Sequence, residues 1–190
     1  MTAIAICGSP RANGNSEALL KQSLEVLAQE GIDGTLVSLR GKDIQPCVAC
    51  GTCGKKKDGQ CSIKNDDFAP IFEQMKAASI IIVGSPVYFG SATPQLMALL
   101  DRAGYVSRQN GGYFSRKLGG PIVVARRAGQ NFTFAQLLFW FLINDMIVPG
   151  SSYWNIAFGR EPGEVENDAE GLGAVQRFSQ NLAWLASKLA

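Results

Sequence analysis

The chain has 190 residues, of which 46% are hydrophobic and 18% charged, and it contains no histidine. The length predicts one domain over 1–190, and the composition is typical of a folded globular protein. The net charge of +2 is too balanced for a surface that binds nucleic acid or an anionic membrane, and the lack of histidine excludes Ser-His-Asp and Cys-His catalysis, HExxH zinc sites and haem ligation through histidine.

Short apolar segments alternate with longer segments of helical periodicity along the chain. Strands are predicted at 2–7, 35–39, 79–83 and 121–125, with a broken last strand at 147 and 155–158. Helices are predicted at 16–29, 67–77, 94–105, 131–144 and 174–189. A polar insert at 41–65 and an acidic loop at 163–171 lack this periodicity. The alternation predicts a doubly wound parallel sheet with helices on both faces.

Two features bear on the compartment. The first residues lack the charged start of a signal peptide. The longest apolar run, 137–143, is far shorter than the roughly 20 residues that span a bilayer. We therefore expect a cytoplasmic protein, without membrane contact, whose cysteines stay reduced.

The loop at 8–16 joins the first strand to the first helix, where an open α/β sheet binds phosphate. It is not a Walker A loop, since Asn15 stands in place of the lysine, and it lacks the GxGxxG dinucleotide motif. Its many hydroxyl and amide donors suit one terminal phosphate monoester; the alternative is an ordinary capped turn. The candidate phosphate-binding residues are Ser9, Arg11, Asn13, Asn15 and Ser16.

Two further loops follow strands, at 84–91 and 126–130. Either aromatic side chain of the first can lie against a flat ligand held by its phosphate, unless both point into the core. Backbone N–H groups and an arginine of the second can stabilise negative charge on the ring of a bound cofactor; the alternative is a pair of solvated arginines. The candidate cofactor-binding residues of these two loops are Pro86, Val87, Tyr88, Phe89, Gly90, Arg126, Arg127 and Gly129.

Two motifs carry a family resemblance that covers nearly the whole chain. They are Gly8-Ser9-Pro10-Arg11 with Gly14-Asn15-Ser16, and Ser85-Pro86-Val87-Tyr88-Phe89-Gly90 with Asp101-Arg102. Together they resemble the NAD(P)H-dependent FMN reductases of the flavodoxin-like superfamily. The resemblance implies a five-stranded sheet in the order 2-1-3-4-5, an FMN cofactor, NAD(P)H as co-substrate and a homodimer or homotetramer. The loop at 126–130 departs from the glycine-rich form of many relatives.

The insert carries a compact cysteine motif, C-x2-C-x2-C-x7-C, formed by Cys47, Cys50, Cys53 and Cys61. Thiolate-only ligation suits a [4Fe–4S] cluster or zinc, and the tight triple favours iron–sulfur. The motif is similar to that of the iron–sulfur flavoproteins of the same family. A zinc site or a metal-free dithiol loop is the alternative. Cys7, in the first strand, is expected to be a buried and inert thiol.

The helix predicted at 131–144 is apolar around most of its circumference, so it is expected to be buried on all sides. We interpret it as a subunit interface; the alternative is a core helix covered by the last helix. Asp101 and Arg102 are expected to cap or pair at the same interface. Asp168 and Glu170 are expected to serve the N-terminus of the last helix.

The sequence therefore predicts an FMN-dependent oxidoreductase that takes electrons from NAD(P)H and passes them to an unknown acceptor, directly or through a [4Fe–4S] cluster. One alternative is a non-catalytic flavin and iron–sulfur electron carrier that docks with redox partner proteins. A second alternative is a zinc-stabilised sensor of a phosphate ligand.

Overall fold

A computed structural model describes residues 1–189; the last residue of the predicted domain, Ala190, lies outside the described residues. Its sheet has five strands, all parallel, in the order β2-β1-β3-β4-β5. This confirms the predicted doubly wound topology. The strands are β1 (Thr2–Cys7), β2 (Asp33–Ser38), β3 (Ile80–Pro86), β4 (Leu118–Ala125) and β5 (Ile156–Phe158).

The helices connect the strands and cover the sheet. They are α1 (Asn15–Gln29), α2 (Thr52–Lys56), α3 (Phe68–Ala77), α4 (Pro94–Gln109), α5 (Gln130–Ile143) and α6 (Ala169–Leu189), with one 3-10 turn at Glu164–Asn167. The short α2 lies inside the insert at 41–65, for which the sequence predicted no helix or strand. None of the described helices combines the length and the hydropathy needed to cross a bilayer.

Two apolar cores lie on opposite faces of the sheet. Side chains of α1 and α6 pack on one face, and side chains of α3, α4 and α5 pack on the other. The alternative in which α6 covers α5 is therefore wrong. The expectation that α5 is buried on all sides is also wrong for a single chain, because Phe132 is 78% exposed and Phe139 66% exposed.

Some predicted boundaries move for local reasons. β3 continues through Pro86, beyond the predicted end at 83, and the Val87 N–H still donates to the Val124 carbonyl at 2.8 Å. α6 begins five residues earlier than predicted (169 against 174), because Asp168 caps it by accepting the Gly171 N–H at 3.0 Å. The role expected for Asp168 is thus confirmed. The first turn of α6 was not predicted because two glycines near its start disfavour a helix.

Candidate functional site

One open cavity of about 340 Å³ lies at the carboxyl ends of the strands. Its wall combines the loops that follow β1, β3, β4 and β5. Most of the predicted flavin-binding residues line it: Ser9, Arg11, Asn15, Ser16, Pro86, Val87, Tyr88 and Arg126. The remaining ones lie outside its wall: Asn13, Phe89, Gly90, Arg127 and Gly129. The three loops chosen from the sequence therefore do meet at one site.

The N-terminus of α1 opens into this cavity. Gly14 is the N-cap, and the Ala18 N–H donates to its carbonyl at 3.0 Å. The N–H groups of residues 15–17 consequently have no partner within the helix. The side chains of Ser9 and Ser16 are buried beside them. Free N–H groups, hydroxyls and the positive end of a helix dipole form an arrangement suited to a phosphate.

The Asn15 side chain connects two loops. Its Nδ2 donates to the Glu161 carbonyl at 2.9 Å, and its Oδ1 accepts the N–H groups of Gly163 at 2.9 Å and Val165 at 3.3 Å. The amide that the sequence assigned to the phosphate is therefore engaged within the protein. What remains free at Asn15 is its backbone N–H, in the first turn of α1.

The segment at 159–165 is the part of the wall that the sequence analysis missed. Arg11 Nη1 donates to the Arg160 carbonyl at 2.7 Å, and Pro162 also lines the cavity. Gly159 allows the close approach, since a Cβ there would lie 2.6 Å from Asn15 Nδ2. The segment follows β5, so the rule that ligands bind beyond the carboxyl ends of strands already pointed to it.

The aromatic pair after β3 sits on a tight turn. Tyr88 and Ser91 exchange backbone hydrogen bonds of 2.9 and 3.1 Å, and both central residues have positive φ, +52° at Phe89 and +78° at Gly90. This is the geometry of a type I′ turn. Tyr88 is 38% exposed and lines the cavity, whereas Phe89 is fully exposed at the tip. The alternative in which both rings point into the core is therefore wrong.

A side chain of α5 supports this turn from behind. Gln136 Oε1 accepts the Ser91 hydroxyl at 3.0 Å and the Ala92 N–H at 2.9 Å. Gly129, at the start of α5, lies against Val87. The loop after β4 thus contributes Arg126 to the cavity, and its Gly129 packs against the loop after β3.

The four cysteines of the insert line a second cavity, together with Arg102 and Tyr105. Cys53 is buried, Cys61 is half-buried, and Cys47 and Cys50 are exposed. The cavity is small, about 20 Å³, which is room for roughly one water molecule. Among residues 1–189, no three Cys, Asp or Glu side chains come close enough together to hold a single metal ion.

The donor set of the second cavity suits a polynuclear group. All four of its potential ligands are thiols, which is the set that iron–sulfur clusters use. A cluster separates its ligating sulfurs more widely than one ion does, but it also needs more room than this cavity offers. Accepting a cluster would require the insert to widen.

The thiols differ in acidity. Hydrogen bonds from Ser62, whose Oγ lies 3.1 Å from Sγ, and from Thr52 lower the pKa of Cys50 to about 7. Burial raises the pKa of Cys53. Burial also raises the pKa of Cys7 to about 11, which agrees with the inert thiol predicted for β1.

Arg102 was expected from the sequence to lie at a subunit interface, but the structure buries it. Its side chain is completely buried and forms an ion pair with Asp66, whose side chain is 2% exposed. Its guanidinium carbon also lies 4.0 Å from the centre of the Phe68 ring. The pair stands behind the cysteine segment, because α4 runs beneath the insert.

Comparison with known proteins agrees with this geometry. The family model described as NADPH-dependent FMN reductase matches residues 1–161. An iron–sulfur flavoprotein of Methanocaldococcus jannaschii is 38% identical, and 96% of each chain is covered. An iron–sulfur flavoprotein of Methanosarcina thermophila is 33% identical, and the match covers 96% of this chain and 93% of that one.

Solved structures share the fold at low sequence identity. RosB with a bound intermediate, 8-demethyl-8-formylriboflavin-5′-phosphate, matches with a TM-score of 0.78 and 17% identity, over 100% of this chain and 80% of that one. A flavodoxin, WrbA-like protein from Agrobacterium tumefaciens matches with a TM-score of 0.68 and 14% identity, over 98% and 97%. These matches confirm the flavodoxin-like fold, and with the sequence matches they establish that the chain belongs to the NADPH-dependent FMN reductase family and is similar to its iron–sulfur flavoproteins.

Proposed function

We propose that the protein is an oxidoreductase that binds FMN in the first cavity, oxidises NAD(P)H and passes the electrons to an acceptor through an iron–sulfur cluster held by the four cysteines. The observation that carries the proposal is the open cavity itself. It has free N–H groups of α1 and two buried serines at one end, and an aromatic turn at the other.

Each part of the cavity wall has a role in this proposal. The N–H groups at the start of α1, with Ser9 and Ser16, hold the phosphate, and Arg11 adds a cation beside it. The backbone of 86–88 and the Tyr88 ring border the isoalloxazine, and Arg126 offsets negative charge on its reduced form. FMN, when bound, supplies hydride acceptance and one-electron transfer. The open side of the cavity leaves space for a nicotinamide.

The four cysteines supply the ligands of the cluster in this proposal. Support comes from their shared cavity and from the similarity to iron–sulfur flavoproteins. Lys55, Lys56 and Lys57 follow Cys53 closely and offset the negative charge of a thiolate-bound cluster. Zinc or a metal-free dithiol loop are the competing outcomes of a metal analysis.

The proposal also includes a cytoplasmic homodimer or homotetramer assembled through α5. Four residues form what we call the α5 apolar face: Phe132, Phe139, Leu142 and Ile143. An apolar groove of about 570 Å³ runs beside it, between α5 and the segment at 148–155. Apolar surface of this extent on one helix is typical of a subunit interface.

Anaerobic purification followed by spectroscopy tests the function. We expect flavin absorption with an added iron–sulfur shoulder, four irons and four sulfides per chain for a [4Fe–4S] cluster, and rapid bleaching on mixing with NADH or NADPH. A chain that takes up no FMN when it is offered in excess contradicts the proposal.

One variant links flavin uptake to the phosphate end of the cavity. Ser16→Asp places a carboxylate at the start of α1, where it favours the helix but repels a phosphate. We expect FMN affinity to fall at least tenfold (order of magnitude). Gln180→Glu adds the same charge on the exposed side of α6 and serves as the control.

The exposure of Cys47 and Cys50 favours a second candidate function, an electron carrier that docks with redox proteins. Ligands at the surface shorten the path from a cluster to a docked partner. The carrier predicts a flavin that dithionite reduces but NAD(P)H does not, so the mixing experiment separates the two functions.

A further inference from the structure

Arg102 is buried in the wall of the cysteine cavity and has no part in the flavin site. Its Nη1 donates to the Gln45 carbonyl at 3.1 Å, and its Nη2 donates to the Ile63 carbonyl at 3.1 Å. Both nitrogens also bond to Asp66. The guanidinium thus connects Gln45, Ile63 and Asp66. Between the first and the last of these, α2 is the one helix among the described residues.

These contacts bracket the cysteine motif. Gln45 stands two residues before Cys47, and Ile63 stands two residues after Cys61. Since the guanidinium is planar and its donors point in fixed directions, it sets the distance between the two ends of the motif. The position of the four thiols around one cavity therefore depends on this side chain.

One donor of Arg102 is left over. Its Nε is buried and has no hydrogen-bond partner among the described residues. A buried donor without a partner lowers the stability of the protein, unless a bound group supplies the acceptor. Arg102 lines the same cavity as the four cysteines, and sulfur accepts hydrogen bonds.

We propose that Arg102 is a positioning residue for the cysteine segment, closing it through Gln45 and Ile63 and donating its Nε–H to a sulfur of the cluster that the thiols hold. The cluster part rests on the proposed function above. A hydrogen bond to sulfur and a nearby positive charge both favour the reduced cluster, which carries one more electron. Arg102 therefore raises the reduction potential of the cluster.

Two variants separate this role from simple stability. Arg102→Lys keeps a positive charge but loses the fork and Nε. Arg102→Met combined with Asp66→Asn removes the whole buried pair and avoids an unpaired carboxylate, so it keeps the protein folded if the single variant does not. Arg108→Met, on the exposed side of the same helix, is the matched control. Near-UV circular dichroism and FMN uptake verify folding.

The first readout needs no metal. In the metal-free chain, Cys53 is buried, and alkylation followed by mass spectrometry measures its protection. We expect both variants to label at Cys53 at least tenfold faster, while Cys7, buried at the end of β1, stays protected. Unchanged labelling of Cys53 overturns the closing role.

The second readout is the midpoint potential of the cluster after anaerobic reconstitution, followed by electron paramagnetic resonance. A lost charge-assisted hydrogen bond corresponds to roughly a tenfold change in the reduction equilibrium, which is about 59 mV for one electron. We expect the potential of both variants to fall by this amount, or their iron content to fall. If the wild-type chain takes up no iron, the cluster and the Nε–sulfur bond are both wrong. If it takes up iron and the variants match it, only the role of Arg102 is wrong.

Discussion

Asn15 shows how one side chain holds the wall of the first cavity together. It accepts two backbone N–H groups of the segment at 159–165 and donates to a third position of the same segment. Asn15→Ala leaves those N–H groups without an acceptor, so we expect the free energy of unfolding to fall by about 1–3 kcal/mol. We also expect FMN affinity to fall about tenfold, because the cavity wall loosens. Urea unfolding and a flavin titration measure the two effects.

The matched control is Asn167→Ala. Asn167 is exposed and ends the 3-10 turn of the same region of the chain. We expect it to change neither quantity. Equal losses in the two variants would refute the bridging role of Asn15.

Asp66 gives the protein a pH dependence. Burial alone raises the pKa of its carboxyl, but the hydrogen bonds and the positive charge of Arg102 hold that pKa below its usual value. The ion pair therefore stabilises the fold above the unfolded pKa of about 4, and this stability is lost as the pH falls through the lower folded pKa.

Asp66→Asn leaves Arg102 buried without its partner, and we expect it to lower the free energy of unfolding by about 3–5 kcal/mol at pH 7. The deficit should shrink as the pH falls below about 4. Urea unfolding at several pH values measures it, with Asp33→Asn at the exposed start of β2 as the control. A deficit of equal size at pH 3 and pH 7 would argue against the ion pair.

Among the elements, the turn at 88–91 depends most on a neighbour. Gln136 of α5 accepts from both Ser91 and Ala92. Gln136→Ala removes both acceptors, so we expect the turn to move more freely and FMN affinity to fall several-fold, by roughly the 1 kcal/mol of one or two hydrogen bonds. A flavin titration tests this, with Gln180→Ala on the exposed side of α6 as the control. An unchanged affinity would mean that the turn does not order the flavin.

The elements also show what the sequence could predict. The buried strands and the loops after them are visible because apolar runs and Gly-Ser-Pro breaks are local signals. The contact of Arg11 with Arg160 joins residues far apart in the chain, and no local pattern encodes it. The burial of Arg102 was not predicted for the same reason. Its ion-pair partner, Asp66, lies far from it in the chain, and no local pattern around Arg102 indicates that pairing.

At the scale of the whole molecule, the α5 apolar face is the feature that a single chain leaves unexplained. The helix predicted from 131–144 is present, but Phe132 and Phe139 on its outer side are exposed in the single chain. Phe139→Glu places a charge in the centre of this face. We expect light scattering to show a smaller assembly or a monomer, because a buried carboxylate without a partner is costly.

The control for the α5 apolar face is Gln180→Glu, which adds a charge on the opposite side of the sheet. Its assembly should match that of the wild type. A wild-type chain that is monomeric at all concentrations would refute the proposed interface outright.

The order of residues along α5 has a thermodynamic consequence. Phe132, Gln136, Phe139 and Ile143 follow one another at intervals of four, three and four residues, so they share one stripe of the helix. In the proposed assembly, Gln136, which accepts from the turn at 88–91, therefore lies within the surface that contacts a second copy. If assembly holds Gln136 where it supports the turn, the two equilibria are coupled: diluting the protein should weaken flavin binding, and adding flavin should favour the larger assembly. Flavin titrations at protein concentrations that span a hundredfold range measure the coupling. Such a range changes the free energy of association by about 2.7 kcal/mol. A flavin dissociation constant that does not change over this range would contradict the coupling.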